Sequence, residues 1–402
     1  MNAPKLRFKE FSGEWKQWKL EDLAEVRTGK AFSSADFNDN GEYLVVTNKN
    51  IQDKANGIAP VGDRIDIYDD VILNNYLLSG DNILVTMDGV NIGKTGKYSN
   101  EKAVLAQRVG RLNSEQLEFV YQITSSNKFV SEMNKLSVGN AIKHISLKQI
   151  SDYSFSAPIS EEEQEKIGAF FKNSDQKIQL QKEKIDLLKE QKKGLMQRIF
   201  SQELRFKDEN GEEYPEWRTY KLSELVTFFK GQALSKSDLA SEGVPCVLYG
   251  QLYTMYGEII DEVISKTQNN SGFNGEIGDV LIPSSGETAI DIACASALSK
   301  NALLGGDLNV LRPNKKLSNG NFLAYLLSNA YKNELYRLAQ GASVVHLYNN
   351  SLKSLLINLP IIEEQQKIVN TLIYLDKKIK KETDKISELA IQKQAFMQQM
   401  FV

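Results

Sequence analysis

The stretch Gly89-Val-Asn-Ile-Gly93-Lys94-Thr95 contains the residue types of a phosphate-binding loop, in which backbone amides and a lysine hold a nucleotide. The motif requires four residues between its two glycines, but only three separate Gly89 from Gly93, and the preceding residue is Asp88. The second half of the chain has no counterpart of this stretch. It therefore predicts a glycine turn with an exposed lysine rather than a nucleotide-hydrolysing site.

Other patterns that could support catalysis are equally weak. Glu161-Glu-Glu163 could pair carboxylates, but the run opens a predicted helix, where acids interact favourably with the helix dipole. The sequence contains no HExxH or GxSxG motif and no Asn/Asp-Pro-Pro-Tyr/Phe run. Its two histidines and two cysteines do not form a common zinc-ligand pattern. We therefore expect neither a catalytic centre nor a metal site.

The composition is that of a soluble globular protein. Apolar residues make up 41% and charged residues 25% of 402 residues, a length that predicts several domains. No apolar stretch approaches the roughly 20 residues that span a bilayer, and the N-terminus lacks the apolar core of a secretory signal. Two cysteines without a disulfide framework fit a reducing compartment, so we expect a cytoplasmic location. The net charge of −3 gives no support to nucleic-acid binding.

The sequence contains an internal repeat, in which two copies of one unit are offset by about 200 residues. Trp15–Leu23 aligns with Trp217–Leu225, and the leader Leu6-Arg-Phe-Lys9 reappears as Leu204-Arg-Phe-Lys207. Further matched pairs are Gly29 with Gly231, His144 with His346, Pro158 with Pro360, and Glu162–Ile167 with Glu363–Ile368. The order of parts is therefore leader, globular segment and helix, repeated once.

Each copy ends in a long helix with a coiled-coil pattern. The apolar residues follow a 4-3 spacing that is interrupted by polar residues such as Ser174, Gln181 and Lys192. The apolar positions are Ile167, Phe171, Ile178, Ile185, Leu188, Leu195 and Ile199, and then Ile368, Leu372, Leu375, Ile379, Ile386, Leu389, Phe396 and Met400. A single helix with so narrow a stripe is marginal in water, so we expect the two helices to pack on each other. An ordinary core helix is the alternative.

The globular segments are predicted to mix helices and strands. Strands are expected at 44–46, 82–86, 246–248 and 280–282, and helices at 116–125 and 321–328. The fold class is therefore α+β, with two pseudo-symmetric heads joined by two long antiparallel coiled-coil helices. The predicted parts are a leader (1–14), a first head (15–158), a central spacer helix (159–201), a linker (202–216), a second head (217–360) and a C-terminal spacer helix (361–402).

This arrangement resembles the DNA-specificity subunit of type I restriction–modification systems. The resemblance is carried by Ser156–Gln164 and Ile357–Gln365, where an apolar-proline stretch meets a helix opening in Glu-Glu-Gln, and by Gly41–Val46 and Gln107–Val109. It implies two target-recognition domains and a non-catalytic role. It also implies double-stranded DNA, two modification subunits and two motor–nuclease restriction subunits as partners, with S-adenosylmethionine, ATP and Mg²⁺ on those partners.

Two related heads suit a reader of two half-sites about one helical turn apart, roughly 34–36 Å. The heads differ where loops follow the first buried strand, so the target should be bipartite and asymmetric. They differ again where Gly306–Val310 replaces the region of Lys94 and Gln107-Arg108. For phosphate contacts we predict Lys30, Lys94, Arg108 and Lys143 in the first head, and Lys230, Lys236 and Arg312 in the second. For base reading we predict Asn48, Lys49, Tyr249 and Gln251, and both His144 and His346 are further DNA-binding candidates.

Two other functions stay open at this point. The chain could be a coiled-coil scaffold that binds proteins alone, or a nuclease or methyltransferase with unrecognised motifs. The repeat also predicts where the first leader lies. Because Leu204–Lys207 connects a helix end to a head, Leu6–Lys9 should occupy the equivalent place near the end of the C-terminal helix.

Overall fold

The structure is a computed structural model that describes residues 4–51, 62–139, 143–341 and 344–401. The chain divides into two compact units. Unit 1 comprises Met1–Lys182 and Asp384–Val402, and unit 2 comprises Glu183–Thr383. Each unit therefore contains one head and a part of each long helix.

The first copy of the repeat contains strands and helices in mixed order. The strands are β1 (Lys16–Lys19), β2 (Glu25–Thr28), β3 (Tyr43–Val46), β4 (Arg64–Ile65), β5 (Asn82–Thr86), β6 (Thr95–Tyr98), β7 (Ala103–Leu105), β8 (Val109–Asn113) and β9 (Ser154–Ala157). The helices are α1 (Asp70–Tyr76), α2 (Leu117–Thr124), α3 (Asn127–Leu136), α4 (Leu147–Ser151) and the long α5 (Glu161–Phe200).

The second copy follows the same plan with additional short strands. The strands of the second copy are β10 (Arg218–Lys221), β11 (Val226–Lys230), β12 (Leu239–Ala240), β13 (Val244–Val247), β14 (Ile259–Ile260), β15 (Lys266–Thr267), β16 (Phe273–Gly275), β17 (Val280–Pro283), β18 (Ser285–Gly286), β19 (Ser296–Leu298), β20 (Ala302–Leu304), β21 (Leu308–Pro313), β22 (Val345–His346) and β23 (Leu356–Leu359). The helices are α6 (Leu222–Leu225), α7 (Gln251–Thr254), α8 (Ala289–Ile292), α9 (Gly320–Asn329), α10 (Lys332–Leu338), α11 (Asn349–Lys353) and the long α12 (Ile362–Met400).

Each head is built on the same sheet scaffold. In unit 1 one sheet has the order β2-β8-β5-β6 and another has the order β4-β3-β7, while in unit 2 the corresponding orders are β11-β21-β17-β19-β14 and β12-β15-β13-β20-β16. In both heads the first strand pairs antiparallel with the last, β1 with β9 and β10 with β23. The last strand then leads through Pro158 or Pro360 into the long helix. The predicted α+β class and the predicted strands and helices are confirmed, with ends shifted by one or two residues.

The repeated glycines at the end of β2 and β11 have a steric reason. A Cβ on Gly29 would lie 2.1 Å from the carbonyl oxygen of Leu105, and one on Gly231 would lie 1.8 Å from that of Gly305. Any side chain would therefore force the backbones apart at this point in either head. In the first head, the close approach brings the loop after β2 beside the segment that connects β7 to β8.

The long helices pair in antiparallel fashion within each unit. In unit 1 the Lys393 Nζ lies 2.6 Å from Asp175 Oδ1, and Phe171 contacts Phe401 at 5.8 Å between ring centroids. In unit 2 Lys184 contacts Glu382 at 2.6 Å and Lys192 contacts Asp376 at 2.7 Å, so the partner number falls as the residue number rises. The buried positions along α5 include Gln181, Ile185, Leu188, Lys192, Met196 and Ile199. They follow the predicted 4-3 spacing as far as Lys192, but Met196 is buried where Leu195 was predicted, and Leu195 is only half-buried. Pairing of the helices is therefore as predicted, and a supercoil stays a prediction.

The first leader lies against the end of α12, as the repeat predicts. The Leu6 N–H donates to the Gln399 carbonyl at 3.0 Å, and the Leu204 N–H donates to the Arg198 carbonyl near the end of α5 at 3.0 Å. Phe8 packs in the same cluster as Phe396 and Met400. In the described part of the chain, none of the helices combines the length and apolar character that crossing a membrane requires.

Candidate nucleic-acid interface

A cleft in unit 1 gathers side chains that are far apart in the sequence. It has a volume of about 800 Å³ and is lined mainly by four loops, which follow β2, β3, β5 and β7. Four of the predicted DNA contacts line it: Lys30, Asn48, Lys49 and Arg108. The neighbouring Gln107 and Asn91 add two more amide side chains. The folded chain therefore places cations and amides, the groups that contact phosphates and base edges, on one surface.

Asp88 organises the cations and amides of this cleft. Its carboxylate accepts hydrogen bonds from Asn48 Nδ2 and, at 3.3 Å, from Arg108 Nη1. The Asn48 Oδ1 is buried and lacks a hydrogen-bond partner among the described atoms. The Asn48 amide is therefore occupied by its hydrogen bond to Asp88. It could contact a base only if that hydrogen bond breaks. The Arg108 side chain is 64% exposed, so it is accessible from solvent despite its contact with Asp88.

His144 and Lys143 lie beside the same cleft. The Lys143 carbonyl accepts a hydrogen bond from the Gly89 N–H at 3.0 Å, and His144 forms backbone bridges with Asp88 and Val138. Both side chains are exposed. Lys94 is half-buried on the loop before β6, and its carbonyl accepts from Thr86 N–H. The structure thus places Lys143 and His144 beside residues that line the cleft, whereas Lys94 does not line it and is half-buried rather than exposed as predicted.

The phosphate-loop resemblance at Gly89–Thr95 does not extend to the fold. A phosphate-binding loop leads into a helix, whereas Thr95 begins strand β6 and its hydroxyl donates to the carbonyls of Gly93 and Thr124. Gly89 and Gly93 have φ of 81° and 76°, as expected for the predicted glycine turn. Within the described residues, no group of three or more His, Cys, Asp or Glu side chains is arranged to hold a metal ion.

Unit 2 presents a different set of side chains at the corresponding loops. Lys230 ends β11 and is exposed, as is Lys236 on the short helix that follows it. Tyr249 is half-buried after β13, and its ring lies 6.5 Å from that of Tyr253. His346 forms a bridge with Ser285, as His144 does with Asp88, and its ring stacks on Tyr348 at 5.9 Å. The two histidines therefore occupy equivalent places, and their roles toward DNA stay predictions.

Two predicted contacts in the second head do not fit the geometry. Gln251 is 8% exposed, and its amide is used internally, because its Oε1 accepts from the Leu248 N–H and its Nε2 donates to Ser265. Arg312 makes a bidentate pair with Asp279 at 2.8 Å and lies over the rings of Phe229 and Phe273. The hydrogen bonds that Arg312 donates to Asp279 raise the pKa of Arg312, although burial opposes this effect. Both side chains hold the fold together, which argues against base reading by Gln251 and phosphate contact by Arg312.

Comparison with known proteins decides the family. The sequence profile of the type I restriction modification DNA specificity domain matches residues 12–190 and again residues 214–390. The chain belongs to this family. Each match covers one head and most of the helix that follows it, so the internal repeat is a pair of specificity domains.

Relatives and solved structures agree with this assignment. The chain is 25% identical over 341 residues to the type I restriction enzyme MjaVIII specificity subunit of Methanocaldococcus jannaschii, covering 78% of each chain. The fold matches the S subunit of a type I restriction-modification system from M. genitalium with a TM-score of 0.64, at 16% identity and over 100% and 99% of the two chains. It also matches a chain from a study of complex assembly in the type I R-M system, with a TM-score of 0.56, 16% identity and coverage of 96% and 97%.

The repeated Glu-Glu-Gln stretch at the start of each long helix binds the preceding leader. Arg7 donates through Nε and Nη2 to the two carboxylate oxygens of Glu163, both at 2.7 Å, and Arg205 makes the same bidentate pair with Glu364 at 2.8 Å. The carboxylates are 1% and 0% exposed. The next residue, Gln164 or Gln365, donates to the carbonyl of Pro158 or Pro360. The helix-dipole explanation is therefore incomplete, because the last acid of each run, Glu163 or Glu364, is a buried partner for arginine.

Sequence reasoning missed three kinds of residue. The central role of Asp88 went unnoticed because this residue attracted attention only as a break in a phosphate-loop motif. The leader arginines repeat in the sequence, and that repetition was a usable signal for a structural role. The burial of Gln251 and the pairing of Arg312 depend on residues distant in the sequence, so no local pattern could have revealed them.

Proposed function

We propose that this chain is the DNA-reading subunit of a type I restriction–modification complex and recognises a bipartite, asymmetric target. The observation that carries the proposal is the cleft of unit 1, where Lys30, Lys49 and Arg108 meet from three separate segments. Cations and amides on one surface are what duplex DNA requires, since phosphates attract the former and base edges the latter. The family match to two specificity domains supports one half-site for each head.

The proposed subunit has no chemistry of its own. Modification subunits would supply S-adenosylmethionine-dependent methylation, and restriction subunits would supply the ATP- and Mg²⁺-dependent motor and nuclease. The related structure described as showing complex assembly of a type I R-M system supports partners of this kind. The fold likeness supports a scaffold role for the two long helices, which run through both units.

A binding experiment with the full chain in complex with its modification subunits tests the proposal. Binding to duplex DNA should weaken steeply with salt, because each neutralised phosphate releases counterions. The double variant Lys30→Glu and Lys143→Glu, at two exposed or half-buried lysines predicted to contact phosphates, should reduce the slope of log affinity against log salt by about one for each lysine. Lys9→Glu is the matched control, because this exposed lysine lies in the leader, outside the cleft.

The outcomes separate the three candidate functions. If the chain assembles with its modification subunits but the complex shows no salt-dependent binding to duplex DNA, a scaffold that contacts proteins alone would be favoured. Methylation or cleavage by the isolated chain, supplied with S-adenosylmethionine or Mg²⁺, would favour an enzyme. Exchange of residues 15–158 for the head of another specificity subunit should change one half-site of the adenine-methylation pattern and leave the other unchanged.

A further inference from the structure

Each head holds one charged residue in a left-handed backbone conformation at the same place in the fold. Arg108 has a φ of 67° and directly precedes β8, and Asp307 has a φ of 58° and directly precedes β21. The carbonyl of Arg108 accepts from Met87 N–H at 3.2 Å, and that of Asp307 accepts from Ser284 N–H at 2.8 Å. The two residues are therefore equivalent, although one is a cation and the other an anion.

This backbone conformation normally favours glycine, because it is costly for residues with a side chain. Among the described residues three non-glycine positions have a positive φ, and the third, Gln202, lies just beyond the end of α5. Both heads thus retain a charged side chain where glycine would relieve strain. Such strained positions persist where the side chain has a use, which points to function at Arg108 and Asp307.

The surroundings of the two side chains differ in a complementary way. In unit 1 His144 bridges to Asp88, whose carboxylate lies 3.3 Å from the Arg108 guanidinium. In unit 2 the equivalent bridge from His346 goes to Ser285, which carries no charge and so does not repel Asp307. Both charged side chains are exposed, with Arg108 at 64%. Each head therefore presents its own charge outward at this position.

The chemistry of the two side chains distinguishes base contacts from phosphate contacts. An arginine forms a bidentate pair with O6 and N7 of guanine, and an aspartate accepts a hydrogen bond from the N4 amine of cytosine. A phosphate would attract Arg108 but repel Asp307, so phosphate contact cannot be the shared role of the position. A base edge in the major groove accommodates both charges.

We propose that Arg108 and Asp307 are matched base-reading residues, Arg108 selecting guanine in one half-site and Asp307 selecting cytosine in the other. The inference rests on the proposed function. It adds to that function the residue that reads a base in each half-site and the base that each residue selects. Asp88 is a positioning residue that holds the Arg108 guanidinium until DNA binds. The asymmetry of the target would then arise in part from a charge reversal at one backbone site.

Selection of binding sequences from randomised duplexes tests the proposal, using the full chain in complex with its modification subunits. Arg108→Asp should remove a guanine preference at one position of one half-site by about tenfold or more, as expected for the loss of a bidentate contact. Asp307→Arg should do the same to a cytosine preference in the other half-site. Arg108→Lys should retain affinity but lose most guanine discrimination, because a lysine is a point charge without the planar fork.

Two further variants keep the test interpretable. Arg108→Gly suits the left-handed backbone, so it should fold normally and still lose the guanine preference. Arg27→Asp makes the same charge change on β2, outside the residues that line the cleft, and should leave the selected sequence unchanged. A wild-type complex that selects no sequence would overturn the proposed function. A wild-type complex that selects a bipartite sequence, with Arg108→Gly and Asp307→Arg selecting the same one, would overturn this inference alone.

Discussion

Arg7 and Arg205 illustrate how a single repeated residue can join a leader to a head. Each guanidinium bonds a carboxylate and two backbone carbonyls, those of Ser12 and Gly13 for Arg7 and those of Tyr214 and Pro215 for Arg205. The hydrogen bonds that these arginines donate to Glu163 and Glu364 raise the pKa of each arginine against an opposing effect of burial. With both oxygens of each carboxylate paired, the buried charge is compensated, and removal of either arginine would leave it uncompensated.

Removal of Arg7 should therefore destabilise unit 1. We expect Arg7→Ala to lower the free energy of unfolding by about 3 kcal/mol, the usual cost of leaving one charge of a buried pair without its partner. Urea denaturation monitored by tryptophan fluorescence measures this change, and Lys9→Ala, at an exposed position of the same leader, should have little effect. The double variant Arg7→Met with Glu163→Leu should recover much of the loss. Equal effects of Arg7→Ala and Lys9→Ala would contradict the interpretation.

The residue scale also shows which parts of the interface the sequence could reveal. Lysines and asparagines after buried strands were predictable, because strand ends and loop residues follow from local patterns. Two of these residues, Asn48 and Lys49, do meet in one cleft, together with Lys30, which follows the largely exposed strand β2. The internal use of Gln251 was not predictable, because it depends on Ser265, a partner brought close only by folding. Residue type predicts what a side chain can bind, and tertiary contacts decide whether it is available.

At the scale of elements, the long helices carry polar residues at seam positions for a visible reason. The Lys192 ammonium, 10% exposed on α5, lies between Asp376 of α12 and Glu258, at 2.7 and 3.2 Å. The Tyr325 hydroxyl of α9 donates to the second oxygen of Asp376. Burial, followed by the charge of Asp376, raises the pKa of Tyr325 and keeps this donor protonated. The equivalent lysine of the other helix, Lys393, makes the corresponding pair with Asp175 in unit 1.

Loss of Lys192 should loosen the helix pair in unit 2. Lys192→Ala leaves two carboxylates facing each other, and we expect a loss of about 2 kcal/mol, between the values typical of surface pairs and of fully buried pairs. Thermal unfolding followed by circular dichroism measures the effect. Lys193→Ala, one residue along on the exposed face, serves as the control. A Tm change in Lys192→Ala no larger than in Lys193→Ala would show that the polar network contributes nothing to stability.

The elements themselves were largely predictable. The strand at Asn82–Thr86 reads as a short apolar run, and its residues are buried in the sheet between β8 and β6. The long helices were evident from their 4-3 spacing, because a repeated stripe indicates a partner helix. The many short strands of the second copy, such as β14 and β15, were not predictable, since two-residue strands exist only through their pairing with distant residues.

At the scale of the whole molecule, the order of parts is circular. The leader before the first head contacts the end of α12 through Leu6 and Gln399, as the second leader contacts the end of α5 through Leu204 and Arg198. The two leaders therefore do the same task, although one of them is joined covalently to its helix and the other is not. We therefore expect the fold to depend on these contacts rather than on which leader is joined covalently to its helix.

A circularly permuted chain tests this equivalence. We expect a variant that joins residue 401 to residue 4 through about six flexible residues, enough to span roughly 13 Å, and opens the turn between Ser201 and Gln202, between α5 and the second leader, to fold normally. Its Tm should stay within a few degrees of the parent, and its complex should select the same DNA sequence. A permuted chain opened between Leu84 and Val85, in the buried strand β5, should fail to fold, because it breaks the sheet of the first head. If opening the turn were as damaging as opening β5, the second leader would need its covalent connection to α5, and the equivalence of the two leaders would not hold.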